Sequence, residues 1–329
     1  MKKLYACMAA ILMAATTVSA QNPVAPAALQ RGDTIAIVSL GSTPKAGVAE
    51  DAARALQQWG FHVLIGKNVY ASHGMYAGTI EQRLDDFLWA LRNPSVKAII
   101  STRGGYGTSL LLPELPLDTL RRYAKWVVGY SDITSMHSAM VRAGVMSVHG
   151  NMGGALQERG ADDAVNLMLR DVLTGTHPTY TVPGHRLNHT GSASGILVGG
   201  NMAVFSNLAG SKDYDFLDRD FVAQHDIILF FEDVSEKMPR VMSMLYLLKL
   251  KGVLDRVKGI IVGRFTDYPH PAYGYDDMPS LLDEYLQSLN IPICYDFPAS
   301  HDESHNYPLL EGCPVTLTVT PQQTTLKFE

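Results

Sequence analysis

Four short stretches carry residue types able to do chemistry. In Gly129-Tyr130-Ser131-Asp132-Ile133 a hydroxyl and a carboxylate follow the apolar run Trp126-Val127-Val128. A helical spacing of Ile133, Met136, Met140 and Val141 comes directly after. A serine between strand and helix is either a helix N-cap or a nucleophile raised on the turn. In the second case the next amide, that of Asp132, becomes an oxyanion donor at the positive end of the helix. The hydrolase pattern G-x-S-x-G is not matched. Arg103-Gly104-Gly105-Tyr106-Gly107 ends another apolar run. Its glycines make either a tight turn or a backbone that a ligand can approach closely. Neither the phosphate loop G-x-x-x-x-G-K-[ST] nor a dinucleotide fingerprint fits it. Glu232 ends the apolar run 227–231 and, by strand alternation, shares a face with Ile228 and Phe230. It is a capping acid or a placed catalytic group. His301 and His305 stand four apart with acids between them, a spacing that suggests metal ligands. Pro298 argues against a helix there, so the pair need not share a face and no metal site is assigned. The remaining histidines, His137 and His149 among them, read as structural or surface residues.

The elements that must position these residues follow an α/β rhythm. Strands are expected at 34–38, 61–65, 96–100 and 126–128, with helices at 48–59, 79–91, 117–123 and 134–143. Thr79 is the expected cap of the second helix, with Glu81 close to a capping-box spacing. The strands lack period-two alternation, which predicts a parallel sheet with helices on both faces, flavodoxin- or Rossmann-like. Ligands of such sheets bind beyond the carboxyl ends of the strands. Three polar or glycine-rich turns fall at those ends: 39–42, 103–107 and 129–132. Residues 174–194, rich in Thr, Pro, Gly, His and Ser, read as a linker. From 195 to 329 the pattern predicts a smaller β-rich α+β domain, with strands at 225–231, 257–265, 291–295 and 315–320. The first domain thus spans 32–173, and 21–31 is an exposed lead-in.

Bulk properties exclude several classes. The 329 residues are 47% hydrophobic and 18% charged, enough for a large core. A net charge of -5 gives no basic field for nucleic acid. Residues 1–20 combine Lys2-Lys3, a short apolar segment and Val18-Ser19-Ala20, the pattern of a secretory signal cleaved after Ala20. The apolar run is too short to span a bilayer, so export to the periplasm without stable membrane insertion is expected. Cys7 leaves with the signal. Cys294 and Cys313 remain, and export permits either a disulfide or two buried thiols.

Together these pieces resemble the L,D-carboxypeptidase family of serine peptidases, which includes the microcin C immunity peptidases. The likeness covers most of the chain after the signal, and its most specific parts are 103–107, 129–134 and Phe231-Glu232-Asp233. It implies a parallel α/β domain, a β-rich second domain and a site between them. It also implies a triad of Ser131, Glu232 and His301, with His305 in reserve, and an oxyanion hole at the amides of Gly104 and Asp132. Gly105, Tyr106 and Asn201 are the expected substrate contacts. The family histidine sits in a Gly-His pair ahead of Pro-Leu-Gly; here the pair is Ser300-His301, ahead of Pro308-Leu309-Leu310-Glu311-Gly312. The implied reaction is release of terminal D-alanine from a murein tetrapeptide, with no metal or cofactor, by a homodimer. A microcin-immunity-type peptidase acting on peptide-nucleotide or acyl-amide compounds, and a non-catalytic muropeptide-binding protein, are the alternatives.

Overall fold

The computed structural model describes residues 23–269 and 274–329. The expected signal, with Cys7, lies outside the described residues. Among them the strands, in chain order, are β1 Thr34–Val38, β2 His62–Ile65, β3 Val96–Ser101, β4 Trp126–Gly129, β5 Ser147–His149, β6 Thr179–Pro183, β7 Gly191–Asn201, β8 Ile227–Val234, β9 Gly259–Thr266, β10 Ile293–Phe297, β11 Leu309–Glu311, β12 Pro314–Val319 and β13 Gln323–Phe328. They form a six-stranded sheet of order β11-β5-β4-β3-β1-β2 and a seven-stranded sheet of order β10-β9-β8-β7-β12-β13-β6. In the first, β1 to β5 run parallel and only β11 is antiparallel. In the second, β7 to β10 are parallel, whereas β12, β13 and β6 are antiparallel.

The apolar runs of the first sheet exist because both its faces are covered. Ile35 and Ile37 pack with Ala49, Ala52 and Leu56 of the helix Val48–Gln58. Ala36 and Val38 pack on the opposite side with Phe87 and Met136, from the helices Ile80–Arg92 and Thr134–Arg142. Thr79 caps its helix as expected, but Gln82 and not Glu81 completes the box: Gln82 N donates to Thr79 Oγ1 and Thr79 N to Gln82 Oε1. Only the third helical residue has the reach to bond back to the cap amide.

The second sheet alternates as well. Leu229, Phe231, Ile260 and Val262 bury against the helices Met238–Leu250 and Met278–Leu286. Ile228, Phe230 and Ile261 belong to the same buried cluster as Ile37 and Val128. One apolar core therefore joins the two sheets, and the face of β8 that carries Glu232 looks toward the first domain.

Three expectations change. Residues 174–194 are not a bare linker, because Thr179–Pro183 pairs antiparallel with β13. Its Tyr180 and Val182 point inward while Thr179 and Thr181 are exposed, a period-two pattern hidden by turn-type composition. The lead-in is pinned: Met146 N donates to Val24 O, Trp126 Nε1 to Ala27 O, and Leu29 is buried. Strand β11 crosses from the second part of the chain to edge the first sheet, so the domains interlock. Cys294 and Cys313 are both buried free thiols, and burial pushes them up to about 12 and about 11. No helix among the described residues is long and apolar enough to cross a membrane.

Candidate active site

The turns after β1, β3 and β4 meet. Ser42 N donates to Gly104 O at 2.9 Å, and Tyr106 N donates to Ser42 Oγ at 3.2 Å. Buried Arg83 reaches up from its helix to donate to Leu40 O at 2.7 Å and Gly107 O at 2.8 Å. Asp132 Oδ2 accepts from the Thr108 amide at 2.9 Å and its hydroxyl at 2.7 Å. The Asp132 carboxylate is thus a brace between two turns. Burial raises its pKa against the opposing pull of Thr108 and Arg83. Asp132→Ala is expected to leave two buried donors unpaired and cost about 3 kcal/mol, read as a lowered urea midpoint with unchanged slope.

Ser131 sits on a strained elbow. Its φ is 62°, a left-handed conformation that costs a non-glycine residue about 1–2 kcal/mol. Its side chain makes no capping bond: neither the 3-10 turn Ser131–Ile133 nor the helix Thr134–Arg142 has a side-chain cap. The hydroxyl instead lies 2.9 Å from His301 Nε2. Behind the ring, His301 Nδ1 donates to Glu232 Oε2 at 2.6 Å. A serine, an imidazole and a carboxylate so aligned can pass the hydroxyl proton to the ring and leave a nucleophilic oxygen. The elbow is held from below by His137, whose ring bonds Gly129 O and Ser147 Oγ, both at 2.8 Å. Burial drops the His137 pKa to about 3, so it stays neutral.

Glu232 is wholly buried, and its Oε1 has no partner among the described residues. The β8–β9 register slips between Phe231 and Asp233, and irregularities of this kind re-aim side chains beside active sites. His301 feels two opposed influences. Burial alone would lower its pKa, but the charge and hydrogen bond of Glu232 outweigh it and hold the pKa above the ordinary 6.5. The loop is fixed by Asn306, whose Oδ1 accepts from Ser300 N at 3.3 Å and bonds His149 Nε2 at 3.1 Å.

Gly104 faces the nucleophile. A Cβ there would lie 2.9 Å from Ser131 Cβ and 3.2 Å from both Ser131 Oγ and Asp132 N. That vacancy is what a tetrahedral oxyanion needs beside two backbone donors. Gly104→Ala adds no positive-φ strain, but its Cβ would press on Ser131 Cβ at 2.9 Å, so the turn or the elbow must shift to admit it. The substitution should lower kcat by about 10²–10³, measured by steady-state kinetics.

A cavity of about 280 Å³ opens over Ser131 and His301, walled by Gly104, Gly105, Tyr130, Glu158 and Glu303 among others. Of the expected substrate contacts, Gly105 lines it; Tyr106 and Asn201 do not. Tyr106 is 66% exposed. Asn201 is buried, accepts from Val204 N to cap the helix Met202–Ser206, and donates to Asp233. His305 is turned away toward Asp302, 2.8 Å from its Oδ2. Tyr130 was not a candidate in the sequence, yet its ring stands edge-on to His301 at 5.2 Å. Only its position before the serine hinted at this.

The family profile for the LD-carboxypeptidase N-terminal domain matches residues 35–150, and that for the C-terminal domain matches residues 194–317. The chain belongs to the LD-carboxypeptidase family. A protein of Synechocystis named as a carboxypeptidase is 31% identical, the match covering 85% of this chain and 90% of that one. The murein tetrapeptide carboxypeptidase of Pseudomonas aeruginosa is 29% identical over 81% of this chain and 87% of its own. The crystal structure of the muramoyltetrapeptide carboxypeptidase of Oxalobacter formigenes superposes with a TM-score of 0.79 at 27% identity, covering 90% of this chain and 98% of that one. This chain is a serine-type carboxypeptidase of that family.

Proposed function

We propose that this protein removes the terminal D-alanine from murein tetrapeptide stems, with Ser131 as nucleophile, His301 as base and acid, and Glu232 as the group that orients the ring. The 2.9 Å contact between Ser131 Oγ and His301 Nε2, backed by Glu232, carries this reading. His301 takes the hydroxyl proton as Ser131 Oγ bonds to the carbonyl carbon before D-alanine. The oxyanion is held by the amides of Gly104 and Asp132, each donor contributing about 3 kcal/mol to the barrier reduction. The carbon–nitrogen bond then breaks, His301 protonates the leaving amine, and water repeats the sequence to free the shortened peptide and Ser131. Export by the segment 1–20, which would set the enzyme to work on periplasmic wall peptides, and assembly as a homodimer belong to the same reading. Cell fractionation and light scattering test those two points.

The direct test is incubation of the purified protein with murein tetrapeptide and detection of free D-alanine by mass spectrometry. Release of D-alanine supports the reading. Turnover of a peptide-nucleotide with no D-alanine released would replace it with the microcin-immunity type. Tight binding without turnover of either would leave a muropeptide-binding protein.

A further inference from the structure

The catalytic cleft has an acidic wall that the triad does not use. Glu303 lies two residues beyond His301 and opens the short turn Glu303–His305. It lines the cavity together with Glu158. The turn is built to hold it. Asp302 accepts from Ser304 N at 3.0 Å and from Ser304 Oγ at 2.6 Å. Buried Asn151 donates to Glu303 O at 3.1 Å. The one hydrogen bond to the Glu303 carboxylate among the described residues comes from Tyr130 OH, at 3.3 Å to Oε1. Tyr130 precedes the nucleophile and flanks the His301 ring, so this carboxylate is registered to the reacting centre.

Among the described residues no Lys, Arg or His forms an ion pair with Glu303 or Glu158. The nearby Arg159 is engaged with Asp163 at 2.6 Å. Burial, and after it the charge of Glu158, push the Glu303 pKa up. Two like charges facing one cavity, neither in an ion pair among the described residues, are unfavourable in the free protein. Such an arrangement is relieved when a ligand brings the opposite charge, and the relief becomes binding energy and selectivity.

Resting on the reading of the reaction above, we propose that Glu303, seconded by Glu158, is the specificity-determining residue that pairs with an ammonium group on the substrate residue whose carbonyl Ser131 attacks. In a murein stem that residue is a diamino acid with a charged side-chain amine. A hydrogen bond between a carboxylate and an ammonium is the strong, charge-assisted kind. Lys45 and Arg103 line the same cavity and leave cations available for substrate carboxylates, so the cleft suits a zwitterionic peptide.

The test compares two tetrapeptides identical except at the third residue, one with a free side-chain amine and one with that amine acetylated. Wild-type protein should release D-alanine from both, with kcat/KM about tenfold or more higher for the free amine. Glu303→Gln should lower kcat/KM for the free-amine peptide by about tenfold, mainly through KM, and leave the acetylated peptide within about twofold. Glu158→Gln should act in the same direction with a smaller effect. Retained turnover of the acetylated peptide shows that the variants fold and that the triad works. Equal losses on both peptides, or no loss on either, would overturn the assignment and make Glu303 a brace for Tyr130. Wild-type release from both peptides at equal rates would overturn it while leaving the D-alanine reaction standing. Release from neither would remove the reaction itself and this proposal with it.

Discussion

Ser131→Ala lowers kcat by about 10⁶, the scale seen when a triad nucleophile is removed, and leaves the fold in place. The expectation rests on how little else the hydroxyl does. It makes no capping bond, and its contact is with His301 Nε2 at 2.9 Å. Alanine keeps the Cβ and carries the same backbone strain at φ 62°, so the unfolding free energy should shift by less than about 1 kcal/mol. A loss of turnover with an unchanged melting curve would separate chemistry from structure. A variant that retains even a hundredth of the rate would mean that another group attacks the carbonyl.

Glu232→Gln lowers the plateau rate by about 10⁴, the scale of losing a triad acid, and moves the acid limb of the pH profile. The sign follows from the two influences on His301. The base must be neutral to accept the serine proton, so kcat/KM falls as pH drops through the His301 pKa. In the native protein burial pulls that pKa down while Glu232 pulls it up and prevails, leaving it above 6.5. With glutamine the charge is gone and the burial remains. The limb should therefore move to lower pH, and the remaining activity should persist further into the acid range. A limb that stays in place, or rises, would show that Glu232 does not set the protonation of the ring. The buried Glu232 side chain has one oxygen on His301 and one without a partner, so the amide also risks presenting its NH₂ to the ring. That mispairing contributes to the rate loss but does not reverse the direction of the pH shift.

How legible the site was depends on how local its signals are. The elbow could be read because a buried strand, a turn and a helix follow within about twenty residues, each with its own period. What local pattern could not decide was whether Ser131 caps the helix or faces a ligand. That depends on His301, 170 positions away, and Glu232, 69 positions from His301. Alternation placed Glu232 on the face of Ile228 and Phe230, and the shared core confirms that face. The bulge that aims it lies in the pairing with β9 and leaves no trace in the run itself. Strand β6 escaped notice because threonines and a proline carry its exposed positions, while two inward residues, Tyr180 and Val182, carry the burial. The family resemblance makes Asn201 an expected substrate contact, and nothing in the local run Gly199-Gly200-Asn201 separates a ligand contact from a helix cap. The structure gives it to a helix cap and to Asp233. Glu303 was unremarkable in sequence, an acid among acids; only its position beside Tyr130 within the cleft distinguishes it.

The account depends most on Ser131 being an activated nucleophile. The most direct measurement is peptide mapping by mass spectrometry after treatment with a phosphonofluoridate, a reagent that bonds to activated serines. The account predicts one adduct per chain, on Ser131, forming in step with loss of D-alanine release and absent when His301 is replaced by alanine. Full inactivation with the adduct elsewhere, or labelling of Ser131 at the same rate without His301, would contradict it.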